Sequence, residues 1–261
     1  MSEYINRFLS SLVFLTRIPV KIPFKYEAKV ENVFYFPFVG IIIGSVLVLV
    51  AYLSSLIFPS NISSIITVLA LVVITGGLHL DGLSDSFDGL LSYRDKEKII
   101  LIMKDSRVGA MGLLAVVFII LFKVALIEMV IESGKYIMIL TMPVIGRMSL
   151  VMACYKGKTI SKSIMGEPFI GKLSKRYYYG IILFYGAIIS LIMYVSYGLI
   201  YGLSLIFTVF ILHFIVINLK KFSYEKIDGI SGDILGAICE ISETLHIPVF
   251  YTGVFLCNLF I

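Results

Sequence analysis

Long apolar runs separated by short polar segments make up most of the chain. An apolar run of roughly 18 to 20 residues can cross a bilayer as a helix. A shorter apolar stretch, 8–15, predicts an interfacial helix that ends before Pro19. The run 177–219 is too long for one crossing and divides near 196–198. The predicted spans are 36–58, 62–80, 108–131, 136–153, the two halves of 177–219, and 244–261.

This pattern predicts an all-α, polytopic membrane bundle of about seven transmembrane helices, with an N-terminal interfacial helix, in a single domain over 1–261. Composition agrees, because 59% of the residues are hydrophobic and 15% are charged, against about 25% charged in a soluble domain. The lipid bilayer is therefore an expected partner. The net charge of +5 comes from residues that flank the spans, so nucleic-acid binding is not expected.

Basic residues predict the orientation of the bundle. Of the 22 Lys and Arg residues, Lys135 is the one expected on the side opposite to the basic segments, and Lys123 and Arg147 lie within spans. Positive segments stay in the cytoplasm, so we expect a cell-membrane protein with a cytoplasmic N-terminus. The segments expected in the cytoplasm are 1–35, 81–107, 154–176 and 220–243.

Three aspartates follow directly after the second predicted span. Asp81, Asp85 and Asp88 are spaced by four and seven residues, which puts all three on one stripe of a helix. Three like charges so close repel one another, and a divalent cation would relieve the repulsion. Oxygen ligands favour Mg²⁺ or Mn²⁺ over Zn²⁺. His79 beside them is either an acid, base or ligand, or a hydrogen-bonded interfacial histidine.

A basic segment stands where the third span begins. Lys104, Asp105 and Arg107 belong to the sequence KDSR. At the mouth of a metal site, an arginine grips a diphosphate with two hydrogen bonds and a lysine adds a point charge. The same segment is also typical of the positive flank of a membrane span.

Two cations lie deeper, within predicted spans. Intramembrane cations usually pair with acids or line a polar cavity. We expect Arg147 to contact substrate, and Lys123 to pair with Glu128 or with an aspartate.

The last polar segment, GISGDILGAICEISE at 229–243, carries a second acidic stripe. Asp233, Gly236 and Glu240 fall on one face of a helix. Ser231 is suited to cap that helix, whose free amides from Gly232 onward suit a phosphate. The alternative is a capped helix without a functional role.

Together these segments resemble the adenosylcobinamide-GDP ribazoletransferase family, also called cobalamin 5′-phosphate synthase. The family's motifs occur here in order over nearly the whole chain, and HLDGLSDSFDG with KDSR is the most specific pair. The matching pieces are FLTRIPV at 14–20, FPFVGIIIG at 36–44, TGGLHLDGLSDSFDGLL at 75–91, IMKDSRVGAMG at 102–112, and GISGDILGAICEISE at 229–243. The basic segment 154–176 matches poorly.

The resemblance implies an Mg²⁺-dependent transferase of vitamin B12 synthesis. Its small-molecule partners would be adenosylcobinamide-GDP and either α-ribazole or its 5′-phosphate, and GMP would be released. For this reaction our hypothesis is that Asp81, Asp85 and Asp88 hold Mg²⁺ and serve catalysis, while Asp233 and Glu240 complete the site or hold a second ion. A homo-oligomer or other enzymes of the pathway remain open as protein partners.

The other site residues are assigned by hypothesis, from their chemistry and position. Lys104 and Arg107, with Asp105 between them, would grip the diphosphate. Arg147 would also contact substrate, as would the helix start at Gly232 and Asp233. One of the aspartates, or His79 through a water molecule, would take the proton of the attacking hydroxyl group.

Two other classes of protein compete with this interpretation. The first is another Mg²⁺-dependent membrane transferase, of the CDP-alcohol phosphotransferase or aromatic prenyltransferase kind. Against it, Asp81-Gly82 is not followed by Ala-Arg, and the third carboxylate comes three positions after the second instead of four. The second is a cation transporter. Transport favours charged or broken helices near the membrane midplane, whereas these carboxylates cluster at one predicted face.

Overall fold

The computed structural model describes residues 2–160 and 166–260, and within these ranges no β-strand forms. One isolated bridge joins Thr159 and Ile230, and a 3-10 helix, Val30–Tyr35, precedes the second α-helix. The all-α prediction is confirmed. The described α-helices are α1 (Glu3–Leu15), α2 (Phe36–Ser55), α3 (Ser60–Thr75), α4 (Leu78–Leu90), α5 (Lys96–Ile102), α6 (Ala110–Glu132), α7 (Ile137–Cys154), α8 (Lys175–Tyr197), α9 (Leu199–Ile227) and α10 (Gly232–Phe260).

Six of these helical segments are long and apolar enough to cross a membrane, and α3 with α4 forms a further, bent pair. The six are α2 with its preceding 3-10 turn, α6, α7, α8, α9 and α10. Large apolar side chains stay exposed on their outer faces, as on α6 at Phe118, Leu121 and Phe122. Such a surface is stable in lipid and not in water. The expected multi-pass helical bundle is therefore confirmed.

The second predicted span does not run on into the aspartates. Helix α3 ends at Thr75, and the chain turns by 90° before α4 begins. Gly76 and Gly77 both take the left-handed conformation, with φ of 65° and 69°, which glycine adopts without the steric cost of a side chain. The prediction of one helix over 62–80 is wrong, and the aspartates lie on a separate helix.

The bounds of the last two helices also differ from the prediction. A polar loop was expected over 220–243 and a span over 244–261, but α9 continues to Ile227 and α10 runs unbroken from Gly232 to Phe260. Glu240 and Glu243 can lie within this membrane helix because Lys123 and Arg147 pair with them inside the bundle. The expected cap is confirmed, since the Ser231 hydroxyl accepts a hydrogen bond from the backbone N–H of Ile234 at 3.3 Å.

The basic segments gather at one end of the bundle. The Arg17 amide donates to the carbonyl of Ile74, and the Tyr177 hydroxyl donates to the carbonyl of Glu31 at 2.9 Å. The opposite end is closed by other contacts, such as the 2.9 Å hydrogen bond from Ser60 to Glu132 and that between Ser55 and Tyr136. The polar segments that carry the candidate site are thereby brought together.

Helix α7 forms the centre of the bundle and packs tightly against α2. A Cβ atom added to Gly44 would lie 2.4 Å from the carbonyl oxygen of Leu140, and one added to Gly40 would lie 2.7 Å from that of Pro143. Small residues four positions apart allow two membrane helices to approach backbone to backbone. The FPFVGIIIG segment is thus a packing surface.

We expect Gly44→Ala to destabilise the protein, because backbone atoms of α7 cannot rotate away from the added methyl group. Overpacking of this kind costs about 1–3 kcal/mol, which should appear as a lower Tm in detergent. Gly180→Ala is the matched control, since a Cβ at Gly180 in α8 meets nothing within 4 Å. Equal Tm values for the two variants would rule out the close α2–α7 contact.

Candidate active site

The three aspartates lie on α4, whose backbone packs directly against α10. A Cβ atom on Gly82 would lie 2.8 Å from the backbone oxygen of Asp233, and one on Gly236 would lie 3.2 Å from that of His79. Because neither helix has a side chain at the contact, the two backbones touch. This contact brings Asp233 beside the carboxylates of α4, although more than 140 residues separate them in the sequence.

Four carboxylates interact electrostatically at this contact. Asp81, Asp88 and Asp233 all lie close enough to Asp85 to repel its negative charge, and Asp85 is also partly desolvated. Lys104 lies within electrostatic reach of Asp233. The predicted residues of α4, of the KDSR segment and of the last polar segment therefore meet in one place.

A cleft of about 750 Å³ opens at this meeting point. Its polar side is formed by His79, Asp81 and Asp233, next to Gly232. Of these side chains, His79 is buried and Asp81 is exposed, so the cleft runs from the protein surface toward the interior.

Three phenylalanines form an apolar wall in the same cleft. The ring of Phe14 lies 5.9 Å from that of Phe36 and 5.3 Å from that of Phe169, measured between centroids. The wall joins α1, α2 and the segment after α7. A ligand in this cleft would have carboxylates on one side and aromatic carbon on the other.

Asp88 has a structural role in helix capping that could not be predicted from its position in the sequence. Its two carboxylate oxygens accept hydrogen bonds from the backbone N–H groups of Gly109 at 2.7 Å and Gly112 at 2.8 Å. These amides begin α6 and have no partner within that helix. Asp88 therefore caps α6 and fixes it against α4, while its role as a metal ligand stays a prediction.

The KDSR segment is ordered by its own ion pair. Arg107 donates to Asp105 through Nε at 3.0 Å and through Nη2 at 2.6 Å. These hydrogen bonds from Arg107 lower the pKa of Asp105 to about 2. The Arg107 side chain is 88% exposed, so its guanidinium is held by a neighbouring carboxylate at the surface. Its predicted grip on a diphosphate stays a prediction.

Behind the cleft lies a buried network of charged side chains. Arg147 Nη1 donates to Glu243 Oε2 at 2.5 Å, and Lys123 Nζ donates to Glu243 Oε1 at 2.8 Å and to Glu240 Oε2 at 2.6 Å. The expected pairing of Lys123 with Glu128 or an aspartate is wrong. Two cations and two anions balance here, as burial in a membrane bundle requires.

This network places two predicted site residues away from the aspartates. Glu240 lies two turns along α10 from Asp233, about 10 Å deeper, and its carboxylate is held by Lys123. Arg147 is fully buried, and it contacts the cleft-lining residue His79, whose Nδ1 is 3.5 Å from Arg147 Nη2. Their roles as metal ligand and substrate contact stay predictions.

Sequence reasoning missed Glu243. The signal was present, because Glu243 follows Glu240 by three residues on the same helical face and two intramembrane cations needed acidic partners.

The donor chemistry at the α4–α10 contact suits a hard divalent cation. Carboxylate oxygens are the ligands that Mg²⁺ prefers, and Asp81, Asp85 and Asp233 supply them from two helices. Among the residues that the structure describes, no three Asp, Glu, His or Cys side chains already stand close enough to hold an ion. A metal ion bound here would require these carboxylates to move closer together.

Fold and cleft together define the class: a multi-pass helical membrane protein with an aspartate-lined cleft at the end where its basic segments meet. The family model for cobalamin-5-phosphate synthase matches residues 7–251, and the chain belongs to this family. No solved structure matches the chain.

Relatives over nearly the full length carry one name, adenosylcobinamide-GDP ribazoletransferase. The protein of that name from Clostridioides difficile is 40% identical over 96% of this chain and 99% of its own length. The one from Alkaliphilus metalliredigens is 42% identical over 95% of each chain. The one from Clostridium tetani is 40% identical over 95% of this chain and 97% of its own.

We expect Asp88→Asn and Asp85→Asn to affect stability in different ways. An asparagine at 88 would turn an NH₂ group toward an amide donor, and leaving one buried donor unsatisfied costs about 1–3 kcal/mol. An asparagine at 85 removes a charge that three neighbours repel. In metal-free detergent solution, Asp88→Asn should lower the Tm while Asp85→Asn leaves it unchanged or raises it. The reverse order would contradict the capping role of Asp88.

The stability of the buried network should depend on its charge balance more than on any single contact. Lys123→Met leaves Glu240 and Glu243 without their shared cation, and breaking a buried pair in this way costs about 3–5 kcal/mol. Lys123→Met combined with Glu240→Gln removes one charge of each sign and should recover most of the lost Tm. An equal loss in the single and double variants would show that packing, not charge, governs this position.

Proposed function

We propose that this protein joins adenosylcobinamide-GDP to α-ribazole or its 5′-phosphate and releases GMP, which completes the nucleotide loop of vitamin B12. Membership of the family and the shared name of the relatives support this reaction. The single structural observation that carries it is the α4–α10 contact, which unites the two most acidic motifs in one cleft.

The reaction exchanges one bond to phosphorus for another. A ribose hydroxyl of the ribazole attacks the phosphorus on the cobinamide side of the diphosphate. A new P–O bond forms to that hydroxyl oxygen, the P–O bond to the bridging oxygen breaks, and the bridging oxygen leaves with GMP. The hydroxyl proton passes to a base. Such transfers depend mainly on positioning the reactants and stabilising the charge on the transferring group.

The residues at the α4–α10 contact and beside it suit these tasks. Asp81, Asp85 and Asp233 would hold Mg²⁺, with Mn²⁺ as a substitute, and a bound divalent ion supplies charge stabilisation for the diphosphate and the departing GMP. Lys104, close to Asp233, adds positive charge at the same place. An aspartate of α4 is the simplest proton acceptor.

We further propose that the cleft faces the cytoplasm of the cell membrane. The basic segments lie at the same end of the bundle as the cleft, and positive segments are retained on the cytoplasmic side during insertion. Both substrates are polar, so they would reach this face from the cytoplasm without crossing the bilayer.

The test is purified protein in detergent with adenosylcobinamide-GDP, α-ribazole and Mg²⁺, with GMP release followed over time. We expect GMP to form with Mg²⁺ and to stop when the ion is chelated. If no GMP forms with metal, and proteoliposomes instead accumulate a cation, the protein is a transporter and the proposal fails.

Within this assay Asp85→Asn should lower kcat by about 100-fold or more, the usual scale for losing one electrostatic group at a reacting phosphorus. Binding of adenosylcobinamide-GDP should change much less. Asp95→Asn is the matched control, because Asp95 is an exposed aspartate with only a 3.7 Å surface contact to Lys98. Unchanged turnover in Asp85→Asn would remove that residue from the site.

A further inference from the structure

The FLTRIPV segment has no role in the reaction described so far, yet the structure holds it firmly beside α4. The backbone N–H of Arg17 donates to the carbonyl of Ile74 at 2.7 Å, at the end of α3. Thr16 donates its hydroxyl to the carbonyl of Leu12 at 2.7 Å and accepts from the N–H of Ile18 at 3.2 Å. The backbone on both sides of Arg17 is therefore fixed.

The side chain of Arg17 lies across the break between α3 and α4. A Cβ atom on Gly76 would stand 2.5 Å from Arg17 Nε and 2.6 Å from its Cγ. Glycine at 76 thus serves two purposes, the left-handed turn and room for the arginine. Leu15 and Leu78, which lie two residues from Arg17 and from Gly76, both line the cleft. Arg17 consequently stands at the rim of the cleft.

Arg17 differs from the arginines singled out by sequence because it has no acidic partner. Arg107 is held by Asp105, and Arg147 is held by Glu243 inside the bundle. The Arg17 side chain is exposed and makes no hydrogen bond or ion pair with any residue in the described ranges 2–160 and 166–260. A guanidinium is always charged and has a planar fork of donors that fits phosphate oxygens.

We propose that Arg17 binds a phosphate of the diphosphate in the cobinamide substrate, as a positioning residue at the rim of the cleft. The inference rests on the proposed function. The diphosphate brings negative charge next to aspartates, so it requires a cation on the side away from them. Arg17 provides that cation from a fixed backbone, and no carboxylate among the described residues pairs with it.

The test compares KM values in lipid-free neutral detergent. Arg17→Gln should raise KM for adenosylcobinamide-GDP by about 10- to 100-fold, the range for losing a charge-assisted hydrogen-bonding pair. KM for unphosphorylated α-ribazole should stay within about twofold, because this substrate has no phosphate. Arg17→Lys should fall between wild type and Arg17→Gln, since lysine keeps the charge and loses the fork.

Arg94→Gln is the matched control. Arg94 is another exposed arginine, in the segment between α4 and α5, and it is not one of the residues that line the cleft. Its KM values should equal those of wild type. Equal KM increases for both substrates in Arg17→Gln, or no increase for either, would overturn the proposal. A Tm equal to wild type shows that Arg17→Gln is folded.

A lipid phosphate offers the same chemistry, so a second arm adds vesicles with and without anionic phospholipid. If Arg17 binds lipid instead, Arg17→Gln will match wild type in detergent and differ only in its response to anionic lipid. That outcome overturns the substrate role. Wild-type protein that releases no GMP would refute the proposed function itself, whereas normal wild-type turnover with an unchanged Arg17→Gln refutes only this inference.

Discussion

The contact between α4 and α10 is the constraint on which the site depends. Gly82 and Gly236 let the two backbones touch, and the contact forces carboxylates from both helices to share a partly desolvated space. Their repulsion opposes folding, whereas backbone packing favours it. A cation bound in the cleft would attract all of these carboxylates and so remove their mutual repulsion. The chain therefore accepts an unfavourable charge arrangement at the place where a ligand can compensate for it, as functional sites often do.

Most of the fold could be predicted because its signals are local. Apolar runs identify membrane helices, and spacings of four and seven residues identify the face of α4. The break at Gly76 and Gly77 was missed because paired glycines are equally typical of helix packing in lipid, and their left-handed conformation is visible only in the folded chain. The continuity of α10 from its capped start into the last span was missed, because Glu240 looks like a residue of a polar segment until its partner Lys123 is known.

The site was predicted less completely, because its contacts join residues that lie far apart in the sequence. Sequence indicates that Asp81, Asp85 and Asp88 share a stripe, but it does not indicate which of them the protein uses for its own structure. The Asp88 carboxylate accepts hydrogen bonds from two backbone N–H groups that lie 21 and 24 residues further along the chain. Likewise Arg107 is held by a neighbouring acid while Arg17 is not, and only the folded chain distinguishes them.

The central claim is that carboxylates of α4 and α10 form one metal site. Electron paramagnetic resonance of Mn²⁺ added to the purified protein tests it directly, because bound and free Mn²⁺ give different signals. We expect one tight class of bound Mn²⁺ in the wild-type protein, lost in Asp81→Asn and equally lost in Asp233→Asn. Tight Mn²⁺ binding of wild-type strength in Asp233→Asn would contradict the claim that the two helices build a single site.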